Sequence, residues 1–201
     1  MKLTSLALAA VLAAAVPLNS NDSPSAPNVP GRDNLSAPYS APEPPSAPVM
    51  VGDRAPEFSW QADDAHPVQL PDLLAQGNLF VVFGAPDVCL RALEHEREAL
   101  LDLGVIPVAI VSSGNRGARS TANRLGLHYV LVPDSRRVVA AQYGVVDDVT
   151  QAIAPSWFIL DRTGHVRALK RGMLPNTGYA KLATTALALP AGDVALPAGK
   201  H

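Results

Sequence analysis

The stretch Asn78-Leu-Phe-Val-Val-Phe-Gly84 runs into Ala85-Pro-Asp-Val-Cys89 and then into an amphipathic segment from Leu90 to Leu103. A continuous apolar run such as Leu79 to Phe83 is typical of a strand that is covered on both faces. A second apolar run, Val105 to Val111, follows the amphipathic segment. The order strand, helix, strand predicts a βαβ unit, with parallel strands joined by a right-handed crossover.

The helix of this unit has clear sequence signals at both ends. Pro86 excludes helix before it, Asp87 is suited to cap the N-terminus, and Gly104 is suited to end the helix. Cys89 therefore falls in the first turn, where the helix dipole favours a thiolate. It is the only cysteine in 201 residues. It is either a small buried apolar residue or a reactive thiol.

Further periodic segments lie on both sides of the unit. They predict a hairpin (Phe58–Trp60 with Val68–Leu70), a helix (Ala118–Leu125), a strand (Tyr129–Val132), a short helix (Val138–Tyr143), two strands (Ser156–Leu160 and His165–Lys170) turning at Gly164, and a last helix capped by Thr177 and ending near Leu189. The expected fold is α/β and thioredoxin-like: an N-terminal hairpin extension precedes a mixed central sheet flanked by helices. The sheet starts with the parallel βαβ unit and ends in an antiparallel hairpin.

The ends of the chain differ from this domain in composition. Residues 1–18 predict a signal peptide, because a basic Lys2 precedes the apolar run Leu6 to Ala15; an uncleaved N-terminal anchor is the alternative. Residues 19–50 hold eight of the 19 prolines and predict a disordered Pro/Ser/Ala-rich linker. The folded domain is then 51–189, followed by a flexible tail, 190–201. We expect export to the periplasm or the extracellular space, with membrane contact only through the N-terminal segment.

Charge and motif content exclude several classes of function. A formal net charge of −2 gives no basic footprint for nucleic acid. The five histidines show no metal-ligand spacing, and no second cysteine is present to complete a thiolate site. Gly114-Asn-Arg-Gly117 lacks the spacing and the lysine of a phosphate loop. We therefore expect neither a metal nor a cofactor.

Five segments, in order, resemble the redoxin branch of the thioredoxin superfamily. This branch contains the peroxiredoxins and their relatives, the alkyl hydroperoxide reductase / thiol-specific antioxidant family. The segments are Val51-Gly-Asp-Arg-Ala-Pro-Glu-Phe58, Val68-Gln-Leu-Pro-Asp-Leu73, Val132-Pro-Asp134, Ala141-Gln-Tyr-Gly-Val145 and Ala154-Pro-Ser-Trp-Phe-Ile-Leu-Asp-Arg-Thr-Gly164.

The resemblance implies an oxidoreductase in which the thiolate of Cys89 reduces a hydroperoxide or a protein disulfide. Attack on a peroxide would leave a sulfenic acid, which needs a thiol to resolve it. Because the chain has one cysteine, the expected partner is an external thiol, either a small molecule or a protein. Pro155 matches a position that is a cis-proline in many thioredoxin-like proteins, and it should lie opposite Cys89.

The sequence also departs from the family pattern. Val82 and Pro86 stand where peroxiredoxins carry the proline and the hydroxyl residue of P-x-x-x-[Thr/Ser]-x-x-C. The family's peroxide-activating arginine often precedes the late strand, but residues 152–154 contain no arginine. Arg91 is the basic residue nearest to Cys89 in sequence. The alternative function is therefore a catalytically degenerate binding module that uses the edge formed by Pro155 and Cys89.

Two other features have simpler interpretations. Trp157, beside Pro155, is expected to be core or pocket wall. The run Glu94-His-Glu-Arg-Glu98 is expected to be an exposed helix face.

Overall fold

The computed structural model describes residues 47–61 and 67–188. The signal peptide, most of the linker and the tail predicted above lie outside these residues. No helix in the described part is long and apolar enough to cross a membrane. The elements are β1 (Ser59–Trp60), β2 (Val68–Gln69), α1 (Leu70–Gln76), β3 (Asn78–Phe83), α2 (Asp87–His95), α3 (Arg97–Asp102), β4 (Val105–Val111), α4 (Asn115–Leu125), β5 (Val130–Pro133), α5 (Val138–Gln142), β6 (Ser156–Leu160), β7 (Val166–Arg171) and α6 (Tyr179–Ala188).

The central sheet has five strands in the order β5-β4-β3-β6-β7. β3 and β4 are parallel, as are β4 and β5, whereas β6 is antiparallel to both β3 and β7. β1 and β2 form the predicted hairpin apart from this sheet. The predicted turn before β7 contains Gly164, whose φ of 84° lies in the left-handed region that favours glycine. The thioredoxin-like mixed sheet is confirmed.

The central strand β3 contributes side chains to two separate apolar cores. Leu79, Val81 and Phe83 pack on one face with the hairpin, α1 and α5. Phe80 and Val82 pack on the other face with α2, α3 and α6. Alternate residues of a strand point to opposite faces, so an uninterrupted apolar run is needed where both faces are covered. This burial fixes the carboxyl end of β3, from which the chain continues to Cys89.

Two predicted helix starts are wrong. Leu70 begins α1 and is not part of the hairpin strand; Pro71 in the first turn and a capping box between Gln69 and Asp72 set this start. The last helix begins at Tyr179 and is preceded by Gly178. Thr177 is therefore not at the cap position that was predicted for it.

The predicted helix after Cys89 is not continuous. It is interrupted at Glu96, whose φ of −95° and ψ of 5° separate α2 from α3. The carboxylate of Glu96 accepts hydrogen bonds from backbone N–H groups at the start of α6. These bonds hold Glu96 at the break between α2 and α3.

Candidate functional site

Cys89 is the third residue of α2, close to the carboxyl end of the central strand. Pro86 is the residue that precedes the helix, with extended backbone at φ −69° and ψ 161°. Its carbonyl accepts hydrogen bonds from the backbone N–H groups of Cys89 and Leu90, at 2.9 and 3.0 Å. The predicted position in the first turn is therefore confirmed. Cys89 is only 5% exposed, so its sulfur lies beneath other groups.

Two polar side chains from the far end of the domain lie beside Cys89. Its Sγ donates to Oδ1 of Asn176 at 3.9 Å. The hydroxyl of Tyr179 donates to the carbonyl of Pro175 at 2.6 Å and lies 3.5 Å from the carbonyl of Cys89. Burial raises the pKa of Tyr179 above its ordinary value, and the neighbouring Cys89 thiol adds to the shift. Tyr179 is therefore a neutral donor at this site.

Glu96 fixes the segment that carries these two side chains. Its carboxylate accepts hydrogen bonds from the backbone N–H of Gly178 at 2.5 Å and of Ala180 at 3.0 Å. A carboxylate at a helix N-terminus satisfies unpaired N–H groups and complements the helix dipole. Glu96, rather than Thr177, thus caps α6 and ties it to α2 and α3.

The run 94–98 is consequently not a plain exposed face. The side chain of Glu94 is only 19% exposed and accepts hydrogen bonds from Arg97 at 3.2 Å and from the backbone N–H of His128 at 2.8 Å. His95 is exposed, as expected for a solvated side chain. Sequence pattern alone could not show that two of the glutamates bridge to other elements.

Asp87 does not have the predicted role of N-cap. It is the first residue of α2, and its carboxylate makes a bidentate ion pair with Arg124 of α4, at 2.5 and 3.1 Å. This hydrogen bond holds the pKa of Asp87 below its ordinary value, and the charge of Arg91 lowers it further. Arg91 is exposed. The carboxylate faces a cation outside the helix because Pro86 already occupies the cap position.

Pro155, another predicted site residue, lies at the same edge of the sheet. Pro155 is exposed and precedes β6, whose first residue, Ser156, pairs with Phe83. Pro155 is therefore next to the loop that leads to Cys89. The expected cis bond is not present, because every described peptide bond is trans. The preceding residues pair with 145–147 as an extended segment (Ala154 N–H to Val145 O, 2.8 Å), so the chain enters β6 without reversing direction.

Trp157 belongs to the core, as expected. It is 4% exposed, and its ring centroid lies 5.7 Å from that of Phe80. Its position between the sheet and the helices gives it no open face for stacking a ligand.

Gly84 forms the joint between β3 and the loop before α2, and we expect Gly84→Ala to be strongly destabilising. Its φ is 59°, and an added Cβ would lie 2.7 Å from the carbonyl oxygen of Ile153. The left-handed backbone costs about 1–2 kcal/mol, and overpacking adds about 1–3 kcal/mol. Chemical denaturation measures the decrease in the free energy of unfolding.

The matched control for this prediction is Gly126→Ala. Gly126 has a similar φ of 66°, but nothing lies within 4 Å of an added Cβ. The control should lose only the backbone contribution of about 1–2 kcal/mol. Equal losses in both variants would show that close packing against residue 153 does not matter.

A cleft of about 480 Å³ opens elsewhere, between the hairpin and the start of α5. Phe58, Asp134 and Arg136 are among the residues that line it, whereas Cys89 and Pro155 are not. Within residues 47–61 and 67–188, no three His, Cys, Asp or Glu side chains are grouped so that they could hold a metal ion. The chemistry available at the candidate site is therefore that of a thiol with an amide and a phenol beside it.

Solved structures with the same architecture include peroxiredoxins. Peroxidoxin BcpB from Mycobacterium tuberculosis has a TM-score of 0.60 and 20% identity, covering 70% of this chain and 97% of its own. AhpC from Enterococcus faecalis has a TM-score of 0.59 and 14% identity, covering 70% and 92%. The mitochondrial 2-Cys peroxiredoxin from Plasmodium falciparum has a TM-score of 0.58 and 18% identity, covering 69% and 93%. No curated protein matches by sequence.

The fold is thus the thioredoxin-like fold of the peroxiredoxin class. The AhpC/TSA family profile matches residues 51–169, more than half of the chain. The chain belongs to the AhpC/TSA family. Asn176 and Tyr179 lie beyond the matched residues, so the polar groups beside the sulfur come from outside the family match.

Proposed function

We propose that this protein is a thiol-dependent peroxidase whose nucleophile is Cys89. The observation that carries the proposal is the position of the chain's single cysteine: it lies in the first turn of the helix after the central strand of an AhpC/TSA-family domain. Helix N-termini favour thiolates over thiols. Two polar side chains contact Cys89: the amide of Asn176 at its sulfur and the hydroxyl of Tyr179 at its carbonyl.

In the proposed reaction, the thiolate of Cys89 attacks one oxygen of a hydroperoxide. An S–O bond forms and the O–O bond breaks, so that sulfur loses two electrons and the peroxide gains them. The alkoxide or hydroxide that leaves takes up a proton from water, and Cys89 remains as a sulfenic acid. A small peroxide suits the site, since Cys89 is only 5% exposed while Asn176 above it is exposed.

In the proposed cycle, recycling uses a thiol from another molecule. The sulfenic acid condenses with one external thiol to give a mixed disulfide and water. A second thiol then releases the Cys89 thiol and leaves the external pair oxidised. With one cysteine in the chain, no intramolecular disulfide can form. We further propose that the protein works after export, on the basis of residues 1–18, so the reductant would be a thiol of that compartment.

The test is capture of the sulfenic acid. Reduced wild type and Cys89→Ser are treated with hydrogen peroxide in the presence of a dimedone-type probe, and labelling is read by mass spectrometry. We expect one label on the wild type, at Cys89, none on Cys89→Ser, and peroxide consumption by the wild type when dithiothreitol is in excess. A folded wild type that acquires no label would refute the peroxidase and favour the binding module.

A further inference from the structure

The segment that precedes α6 places Asn176 directly over the sulfur of Cys89. Asn176 is itself exposed, whereas Cys89 is 5% exposed. Its Oδ1 is the acceptor for the Cys89 thiol, at 3.9 Å. The thiol of Cys89 is therefore bonded to the side chain of an exposed residue.

Contacts on either side hold this segment against α2 and the start of α3. Tyr179 donates to the carbonyl of Pro175, immediately before Asn176, and lies 3.5 Å from the carbonyl of Cys89. Glu96 accepts from the N–H groups of Gly178 and Ala180, at 2.5 and 3.0 Å. Asn176 is thus held between two anchors, and its position is set by the fold.

This chain lacks the hydroxyl side chain that the family usually carries three residues before the cysteine. Pro86, three residues before Cys89, has neither a hydroxyl nor a backbone N–H. A thiolate buried without a donor is unfavourable. Asn176 has both kinds of group, because an amide has one acceptor oxygen and one NH₂ donor.

We propose that Asn176 is the group that holds and activates the Cys89 sulfur, in place of the hydroxyl missing at position 86. In the resting thiol, Oδ1 accepts the S–H. When the proton leaves, the amide turns about its last bond and Nδ2 donates to the thiolate. The terminal torsion of asparagine is broad and roughly two-fold, so this turn needs no backbone movement. The inference deepens the proposed function and rests on it.

The test is the rate of alkylation of Cys89 by iodoacetamide as a function of pH, which requires no peroxide. Wild type, Asn176→Leu and Asn176→Asp are compared, with Thr177→Val as the control at the next exposed residue. A donor lost from a charged acceptor should move the pH midpoint of alkylation upward by about one unit, equivalent to a rate about tenfold slower below the midpoint. Asn176→Asp should move it at least as far, since its carboxylate repels the thiolate.

The charged and titratable groups on the surrounding elements are unchanged in all these variants. They are Asp87 and Arg91 on α2, Glu96, Arg124 on α4 and Tyr179 on α6. A residue that only filled space would alter the alkylation rate equally at every pH and leave the midpoint in place.

The proposal is overturned if Asn176→Leu and Asn176→Asp keep the wild-type midpoint, or if Thr177→Val moves it as far as they do. Asn176→Asp preserves the shape of the side chain, so an unchanged midpoint in this variant overturns the proposal even if Asn176→Leu fails to fold. Failure of the peroxidase is a separate result, since it appears as a wild type that forms no sulfenic acid.

Discussion

Tyr179→Ala is expected to lower the free energy of unfolding by about 3–5 kcal/mol, the usual cost of truncating a buried aromatic residue. Tyr179 is fully buried, and its ring meets that of Phe80 edge-on with centroids 5.3 Å apart. Its hydroxyl also bonds to the carbonyl of Pro175. Losing the ring contact and the hydroxyl bond of Tyr179 should free the segment over Cys89, so alkylation of Cys89 should become faster. Denaturant titration and iodoacetamide kinetics measure the two effects.

The pair Tyr179→Phe and Tyr143→Phe separates the site from general stability. Each variant loses one hydroxyl that donates to a backbone carbonyl; for Tyr143 the acceptor is Pro56, at 3.2 Å. Tyr143 belongs to the core on the opposite face of the sheet. In both variants the free energy of unfolding should fall by about 1–2 kcal/mol. Only Tyr179→Phe should change the rate at which Cys89 is alkylated. Equal alkylation rates in the two variants would show that the hydroxyl of Tyr179 does not anchor the site.

Glu96→Ala should both lower the free energy of unfolding of the domain and make the thiol of Cys89 more accessible. The variant loses two hydrogen bonds from backbone N–H groups to a carboxylate, one to Gly178 and one to Ala180. Allowing for relaxation, we expect a loss of about 2–3 kcal/mol. If alkylation passes through local opening of this segment, the rate should rise at least about tenfold. The same two assays apply.

Glu98→Ala is the control for Glu96→Ala. Glu98 lies on α3, its side chain is 89% exposed, and its ion pair with Arg97 spans 3.9 Å. Exposed pairs of this kind contribute about 0–1 kcal/mol, so stability and alkylation should stay close to wild type. Comparable effects from both substitutions would mean that lost charge, rather than the lost cap, is responsible.

Much of the fold could be predicted because burial leaves a direct pattern in the sequence. Val105 to Val111 was predicted as a strand, and β4 has these bounds. The central strand and the closing hairpin were also located within a residue or so. Each is a run of apolar or β-branched residues bounded by glycine or a polar turn, so local chemistry and the final packing favour the same structure.

The surroundings of Cys89 could not be predicted in the same way. Asn176 is 87 residues from Cys89 in the chain, and nothing in a polar loop residue indicates which distant side chain it will meet. Glu96 looked like part of a solvated helix because its partners are backbone N–H groups, which leave no mark in the sequence. The start of α1 is different: Leu70-Pro-Asp72 carries a helix-start signal in the sequence itself, with Pro71 in the first turn and Asp72 in the capping box.

The proposed peroxidase requires that this fold make the sulfur of Cys89 a better nucleophile than an ordinary thiol. The most direct measurement is the second-order rate constant for oxidation of Cys89 by hydrogen peroxide, in native protein and in protein unfolded in guanidinium at the same pH. We expect the native rate to be at least about tenfold the unfolded rate, as one hydrogen bond to a charged sulfur would give. A native rate equal to or below the unfolded rate would contradict it.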